Sequence, residues 1–216
     1  MPEWGIQIEN GWFDESRHVY RDEAGVIVPS TTQVFAILGL VDYEGVPEEL
    51  LKWKSNYSVA VHKAIEFLVV KDLDWDTLDE AIVPAVTGLE QFLKKIGYEH
   101  EAAEEKKIGN LFGMKYGLMV DLRGSIMHQG KRRSAIIDLK GCVKYSPTFK
   151  WQIGGYTSSQ PKAEGGWMGV VAQFSKEGEV VPHYVDIIPA QREFQILLSA
   201  ANLKLNAGLA KIGKAA

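Results

Sequence analysis

The chain has 216 residues, 46% of them hydrophobic, and a formal net charge of −4. That is enough apolar material for one substantial core in a single soluble domain, and no stretch approaches membrane-spanning length; residues 1 to 10 lack the basic start and apolar run of a secretory leader. A single cysteine, Cys142, excludes an internal disulfide or a four-cysteine cluster, and the acidic balance does not advertise nucleic-acid binding, although a local basic strip can still attract phosphate.

From Trp4 to Val28 apolar and polar residues alternate around two turn signals, Asn10-Gly11 and Asp22-Glu23-Ala24-Gly25, which predicts short hairpins covering a sheet edge. Pro29-Ser30 opens a helix, with Ser30 as N-cap and Val34, Ile37 and Leu38 on the buried side. Pro47 to Val70 has an acidic first turn and apolar residues at helical spacing, giving a long amphipathic helix with a break near Asn56. His62 and Glu66 share one face of it; a lone helical histidine is most often a surface or core residue. Trp75 to Gly97 reads as another helix, kinked at Pro84 or starting later, with Gly97 as its stop. His100 to Ile108 predicts a charged strand, Asn110 to Gly113 a turn, and Met114 to Met127 a strand that delivers Asp121.

The stretch from Asp121 to Tyr156 carries the polar residues whose spacing asks for a chemical explanation. Apolar runs end in Asp121 and again in Asp138-Leu139-Lys140, where the strand period of two sends the acid and the ammonium to one face. The intervening loop, His128 to Arg133, allows an antiparallel return that brings the two carboxylates side by side. Close carboxylates repel, so such a pair shares a proton or binds a cation; with hard oxygen ligands that cation is Mg²⁺ or Mn²⁺, suited to phosphate chemistry, and Lys140 can hold an attacking water. The alternative is a pair of edge acids neutralised by nearby lysines. Lys131, Arg132 and Arg133 make the most basic patch, either an ordinary hairpin tip or a phosphate contact, and Lys144 follows the Asp138-x-Lys140 strand.

A helix starts near Pro147-Thr148 and sets Gln152 and Tyr156 on one side; Trp151 beside them can stack on a base or bury against the sheet. Gly154-Gly155 permits close packing there. Gly166 to Phe174 and Val180 to Ile188 predict two further strands, and Pro189 starts a final helix reaching about residue 214, its end made basic by Lys204, Lys211 and Lys214.

Asp121, Asp138-x-Lys140 and Gln152-x-x-x-Tyr156 resemble the PD-(D/E)XK nuclease superfamily, particularly its RecB-like branch. Upstream, Val28-Pro29-Ser30-Thr31-Thr32 is similar to that branch's "PSVT" opener and Val61-His62-x-x-x-Glu66 to its "vHxxxE" helix, in the family's order. Ser58 and Leu118 stand where relatives usually have glycine. The resemblance implies an α/β fold of the restriction-endonuclease-like kind, a central mixed sheet from about 101 to 141 and 166 to 188 flanked by helices. It implies His62, Asp121, Asp138 and the Leu139 carbonyl as ligands of Mg²⁺ or Mn²⁺, and Lys140 orienting a metal-activated water. Glu105, with Glu104 as the competing choice, would join Gln152 and Tyr156 in support. The implied activity is DNA hydrolysis, as an exonuclease of phage-type recombination, replication or repair in a bacterial or infected-host cytoplasm, with DNA ends as substrate and a recombination or single-strand-binding protein as partner. Several relatives carry an iron-sulfur cluster, which one cysteine cannot hold. A catalytically silent DNA-binding module on the same fold, or a nuclease acting on RNA or nucleotides, are the alternatives.

Overall fold

The computed structural model describes residues 4–41, 46–142 and 144–212; the expected helical Lys214 lies outside them. Among the described residues the architecture is α/β, with two sheets and five α-helices. The first sheet is an antiparallel meander of β1 (Ile6–Ile8), β2 (Gly11–Asp14), β3 (Val19–Asp22) and β4 (Ile27–Val28). The Asp22 carboxylate closes its last turn by accepting from the Ala24 and Val26 N–H groups. This sheet docks on the edge of the second, where the Ile108 N–H donates to the Glu9 carbonyl at 2.9 Å. Gly117 lets the Tyr20 ring lie directly on the larger sheet, in space that a Cβ would occupy.

The second sheet has the order β5 (Glu99–Leu111), β6 (Met114–His128), β7 (Lys131–Lys140), β8 (Met168–Phe174) and β9 (Val180–Val185). Its pairings are antiparallel except β7 with β8, which is parallel, so the sheet is mixed. The β7 to β8 connection carries α4 (Pro147–Ser158) across one face, as a parallel pair requires. On that face α1 (Thr31–Ile37) and α5 (Ile187–Asn206) join α4 over Leu118, Val120, Ile136 and Val171. On the other, α2 (Glu48–Val69) and α3 (Val83–Lys95) pack over Leu122, Ile137, Leu139 and Val170.

Several boundaries differ from those expected. Helix α2 is continuous through Asn56, whose exposed position costs only the few tenths of a kcal/mol of its weak helix propensity. Helix α3 begins at Val83, so Pro84 sits in its first turn, where a missing N–H is harmless; a short 3-10 turn, Trp75–Thr77, precedes it. The β5–β6 turn is only Phe112-Gly113 and the β6–β7 turn only Gln129-Gly130, all four with positive φ, so Asn110 and the basic residues Lys131 to Arg133 belong to strands. Helix α5 starts at Ile187, before Pro189, and ends at Asn206; Lys211 lies beyond it, while Lys204 donates to the Ile37 carbonyl at 2.6 Å. Among the described residues, no helix is long and apolar enough to cross a membrane.

Candidate metal centre

Pairing of β6 with β7 runs from His128↔Lys131 to Leu122↔Ile137. One step further would set Asp121 opposite Asp138, and there the carboxylate takes over: Asp121 Oδ2 accepts the Leu139 N–H at 2.7 Å. One carboxylate oxygen is thus fixed by backbone, and the other is aimed by it. Asp121 Oδ1 faces His62 Nδ1 at 3.6 Å.

His62 reaches this point because the α2 stripe of Val61, Ala64 and Ile65 is buried against the sheet, leaving the next position around the helix at the rim of the contact. The third participant comes from β5. Its register pairs Ala103 with Leu122 and Glu105 with Val120, which places Glu104 opposite Asp121. Glu104 has φ of 49°, a left-handed conformation uncommon outside glycine, and its Oε1 lies 3.9 Å from His62 Nδ1. His62, Glu104 and Asp121 each offer one ligand atom, all within 4.8 Å of one another. Two carboxylates converging on an imidazole need a positive charge between them, supplied by a proton or a metal ion. Burial pulls the His62 pKa down, but the Asp121 and Glu104 carboxylates outweigh it and hold the value above the ordinary one. His62 Nε2 is buried with no hydrogen-bond partner among the described residues. The donor set, two hard carboxylates and an imidazole, fits a divalent cation.

Asp138 is 0% exposed. Lys140 Nζ lies 2.9 Å from its Oδ1 and 2.8 Å from its Oδ2. Burial lifts the Asp138 carboxyl to about 6, the nearby Asp121 charge adding to the rise and Lys140 opposing it. For Lys140, burial acts downward, yet the Asp138 and Asp121 charges prevail and its pKa is raised. The Phe149 ring lies 5.5 Å from the ammonium. Behind the pair, Gln152 Nε2 donates to the Tyr156 hydroxyl, and both side chains are buried. Burial, then the Asp138 and Asp121 charges, push the Tyr156 phenol well above its usual value.

The structure therefore gathers His62, Asp121, Asp138, Lys140, Gln152 and Tyr156, but in two layers. Asp138 belongs to the ion pair and lies outside the three-donor group, and Leu139 turns its N–H toward Asp121. Glu105, the expected acid of β5, is elsewhere: its carboxylate accepts from Arg123 Nε at 3.0 Å and Nη2 at 3.1 Å, and from Gln160 at 3.1 Å. Burial raises the Glu105 pKa, but these bonds and the Arg123 and Lys107 charges bring it below the ordinary value. Glu104 takes its place at the site. Nothing in the sequence pattern marks the left-handed residue that makes the exchange.

The expected nucleic-acid contacts are scattered. Lys131, which opens β7 at the β6–β7 tip, is seven residues along the strand from Asp138, roughly 23 Å. There Arg132 donates to the Gly97 carbonyl at 2.5 Å and pairs with Glu99 at 2.8 Å, and Arg133 donates to the Gly165 carbonyl, while Lys131 is exposed. Trp151 donates to Glu193 and packs on Phe35 between helices. Lys144 is exposed just beyond the site strand.

No protein-family model matches the chain. No curated protein matches it either. Among solved structures, a candidate exonuclease from Eubacterium rectale is 12% identical, with a TM-score of 0.47 over 85% of this chain and 83% of that one. A protein called SSO0001 is 15% identical, with a TM-score of 0.30 over 76% of this chain and 82% of that one. At these values the chemistry rests on the site's own geometry.

Proposed function

We propose that this chain is a metal-dependent nuclease of the PD-(D/E)XK superfamily, in its RecB-like branch, which hydrolyses DNA phosphodiester bonds as an exonuclease of recombination, replication or repair. The observation that supports this is the convergence of His62, Glu104 and Asp121 within 4.8 Å beside the buried Asp138–Lys140 pair.

A Mg²⁺ or Mn²⁺ ion held by His62, Glu104 and Asp121 would neutralise charge on the phosphate and lower the pKa of a water. The remaining work belongs to the chain. The Leu139 N–H fixes Asp121, so its free oxygen stays aimed at the ligand position. Asp138 holds Lys140, and the raised pKa of that lysine keeps it an ammonium, a donor that orients water or a phosphate oxygen rather than a base that removes a proton. The proton lost in hydrolysis passes to solvent. Gln152 and Tyr156 close the site from behind and exclude water there. Glu105 has no part in the chemistry; it ties β5 to β6 through Arg123.

Cleavage of matched linear and closed circular DNA, single- and double-stranded, with Mg²⁺, Mn²⁺ or EDTA, tests this reading beside Asp121→Asn. Metal-dependent loss of linear DNA, absent in the variant, is the expected result; loss of circles as well would make the enzyme an endonuclease. Intact substrates under every condition would overturn the assignment.

A further inference from the structure

The metal group has a second side. Glu104 turns Oε1 to His62, and its other oxygen, Oε2, faces the Lys106 ammonium at 3.9 Å, too far for a hydrogen bond. Lys106 belongs to β5, and the strand order β5-β6-β7 sets it across Asp121 from Lys140, so an ammonium stands on either side of the ligand group. The first sheet closes over the Lys106 side. Lys106 and Ile108 share one face of β5, opposite Met119 and Gly117 of β6, and there Phe13, Tyr20 and Val28 pack with Ile108. The Lys106 ammonium lies 5.7 Å from the centre of the Phe13 ring.

Two more side chains of the first sheet reach this side. His18, half-buried in the β2–β3 turn with φ of 52°, sets its ring edge-on to Phe13 at 5.2 Å and to Tyr20 at 6.0 Å. Burial and then the Lys106 charge lower the His18 pKa, and Glu104 opposes them, so the imidazole feels both groups. Tyr20 is 1% exposed, its ring seated on Gly117. Burial raises the Tyr20 phenol and the Glu104 charge adds to the rise, so its polar end lies toward the metal group. Among the described residues neither the Tyr20 hydroxyl nor the His18 ring has a hydrogen-bond partner. A buried hydroxyl left unpaired is costly unless something outside the chain completes it. An ammonium, a phenol and an imidazole can all donate to oxygen, and here none of the three spends a donor inside the chain.

We infer that Lys106, His18 and Tyr20 form a subsite for a second phosphate of the nucleic-acid strand, the one next to the phosphate received by the metal group. This rests on the proposed nuclease reading and adds to it a binding site that the first sheet builds. Unspent donors grouped beside a carboxylate already committed to a cation select an anion with several oxygens, and a strand supplies one at each nucleotide. The neighbouring phosphate is one nucleotide from the scissile one, and Lys106 stands one carboxylate beyond the ligand position. A strand running from Lys140 past Asp121 to Lys106 meets positive charge on both sides of the metal group. The subsite holds backbone and touches no base, so it sets the strand's position without sequence preference.

The test is calorimetry of the full chain in saturating Mn²⁺ with thymidine 3′,5′-bisphosphate, whose two phosphates are one nucleoside apart, beside thymidine 3′- and 5′-monophosphate. The bisphosphate should bind the native protein about tenfold more tightly than either monophosphate, the worth of a charged hydrogen bond. Lys106→Gln should abolish that margin and leave the monophosphate and Mn²⁺ affinities within about twofold. Tyr20→Phe, which keeps the ring on Gly117, and His18→Asn, which suits the positive φ, should each reduce the margin about fivefold. Thermal unfolding verifies that each variant is folded. Equal binding of bisphosphate and monophosphates by a native protein that cleaves DNA overturns the subsite and leaves the nuclease reading standing. If Lys106→Gln weakens all three nucleotides alike, Lys106 serves the scissile phosphate; if it lowers Mn²⁺ affinity, Lys106 acts on Glu104 alone. Either result also overturns the subsite. A native protein that binds none of the nucleotides and cleaves no strand overturns both readings.

Discussion

His62 Nδ1 faces Asp121 Oδ1 at 3.6 Å, with the Glu104 carboxylate completing the group. Because the two acids raise the imidazole pKa above its ordinary 6.5, the metal-free site holds a proton on His62 to higher pH than a free imidazole does. A metal ligand must be neutral imidazole, so binding a divalent ion expels that proton. Mn²⁺ affinity is therefore expected to rise with pH through the raised histidine pKa and then level off, with proton release detectable by calorimetry in buffers of different ionisation enthalpy. His62→Asn, which cannot hold the proton, should bind more weakly and lose this pH dependence. A native profile flat across that titration would remove His62 from the ligand set.

Glu104 and Glu105 are neighbours with opposite destinations, and substitution separates them. Glu104→Gln removes a charged donor from the three-residue group and should lower Mn²⁺ affinity at least tenfold, with stability little changed. Glu105→Gln breaks the two-pronged Arg123 contact and should cost about 1 kcal/mol in urea unfolding while leaving metal affinity intact. The reverse pattern would return the ligand role to Glu105.

Much of this site was legible because its residues break a pattern. Asp121 and Asp138-x-Lys140 stand out as charges ending apolar strand runs, and the hairpin that joins them follows from their separation. Glu104 was legible only as the competing choice to Glu105, since strand alternation assumes extended backbone and its φ of 49° departs from that locally. The individual strands and helices followed from apolar periodicity, while the mixed sheet flanked by helices was what the family resemblance implied. The turns came out shorter than expected because Phe112-Gly113 and Gln129-Gly130 form two-residue turns without the usual Asn-Gly or Asp-Gly signal. Arg132 and Arg133 read as a free basic loop because carbonyl acceptors such as Gly97 and Gly165 have no signature in a sequence.

The same tip supplies a prediction about substrate binding. A lysine that contacts phosphate contributes about one unit to the slope of log affinity against log salt. Lys131 pairs with His128, seven residues and roughly 23 Å along β6 from Asp121, so Lys131→Ala should leave that slope and the DNA affinity unchanged within twofold. Arg133→Ala removes the bond to the Gly165 carbonyl and should cost about 1 kcal/mol of stability. A salt slope reduced by one in Lys131→Ala would extend the nucleic-acid path to the tip.

Asp138 carries a stability term of definite sign. Its folded pKa of about 6 exceeds the ordinary 3.8, so between those values the folded chain keeps a proton that the unfolded chain has released. Stability is consequently lost as pH rises through that window, and Lys140 limits the loss. Lys140→Met leaves a buried carboxylate without its counter-charge and should destabilise the metal-free protein by about 3 kcal/mol at pH 8. The deficit should shrink toward pH 5, where Asp138 takes up a proton, and thermal unfolding across that range measures it. A deficit independent of pH would mean that Lys140 acts through packing alone.

Helix α4 places Gln152 and Tyr156 behind the acids only because it lies unusually close to α5. A Cβ on Gly154 would collide with the Ala190 carbonyl, and one on Gly155 would meet the Phe194 ring at 2.9 Å. In an exposed helix, glycine to alanine should stabilise by about 1 kcal/mol through propensity alone. Here the sign reverses: Gly154→Ala must push the two helices apart, at a net cost of about 1–3 kcal/mol in urea unfolding. Because the displaced helix carries the Gln152–Tyr156 pair, the variant should also lose nuclease turnover more than its Mn²⁺ affinity, which depends on α2, β5 and β6. A more stable Gly154→Ala would show that α4 and α5 do not pack at this distance, and would detach the pair from the site.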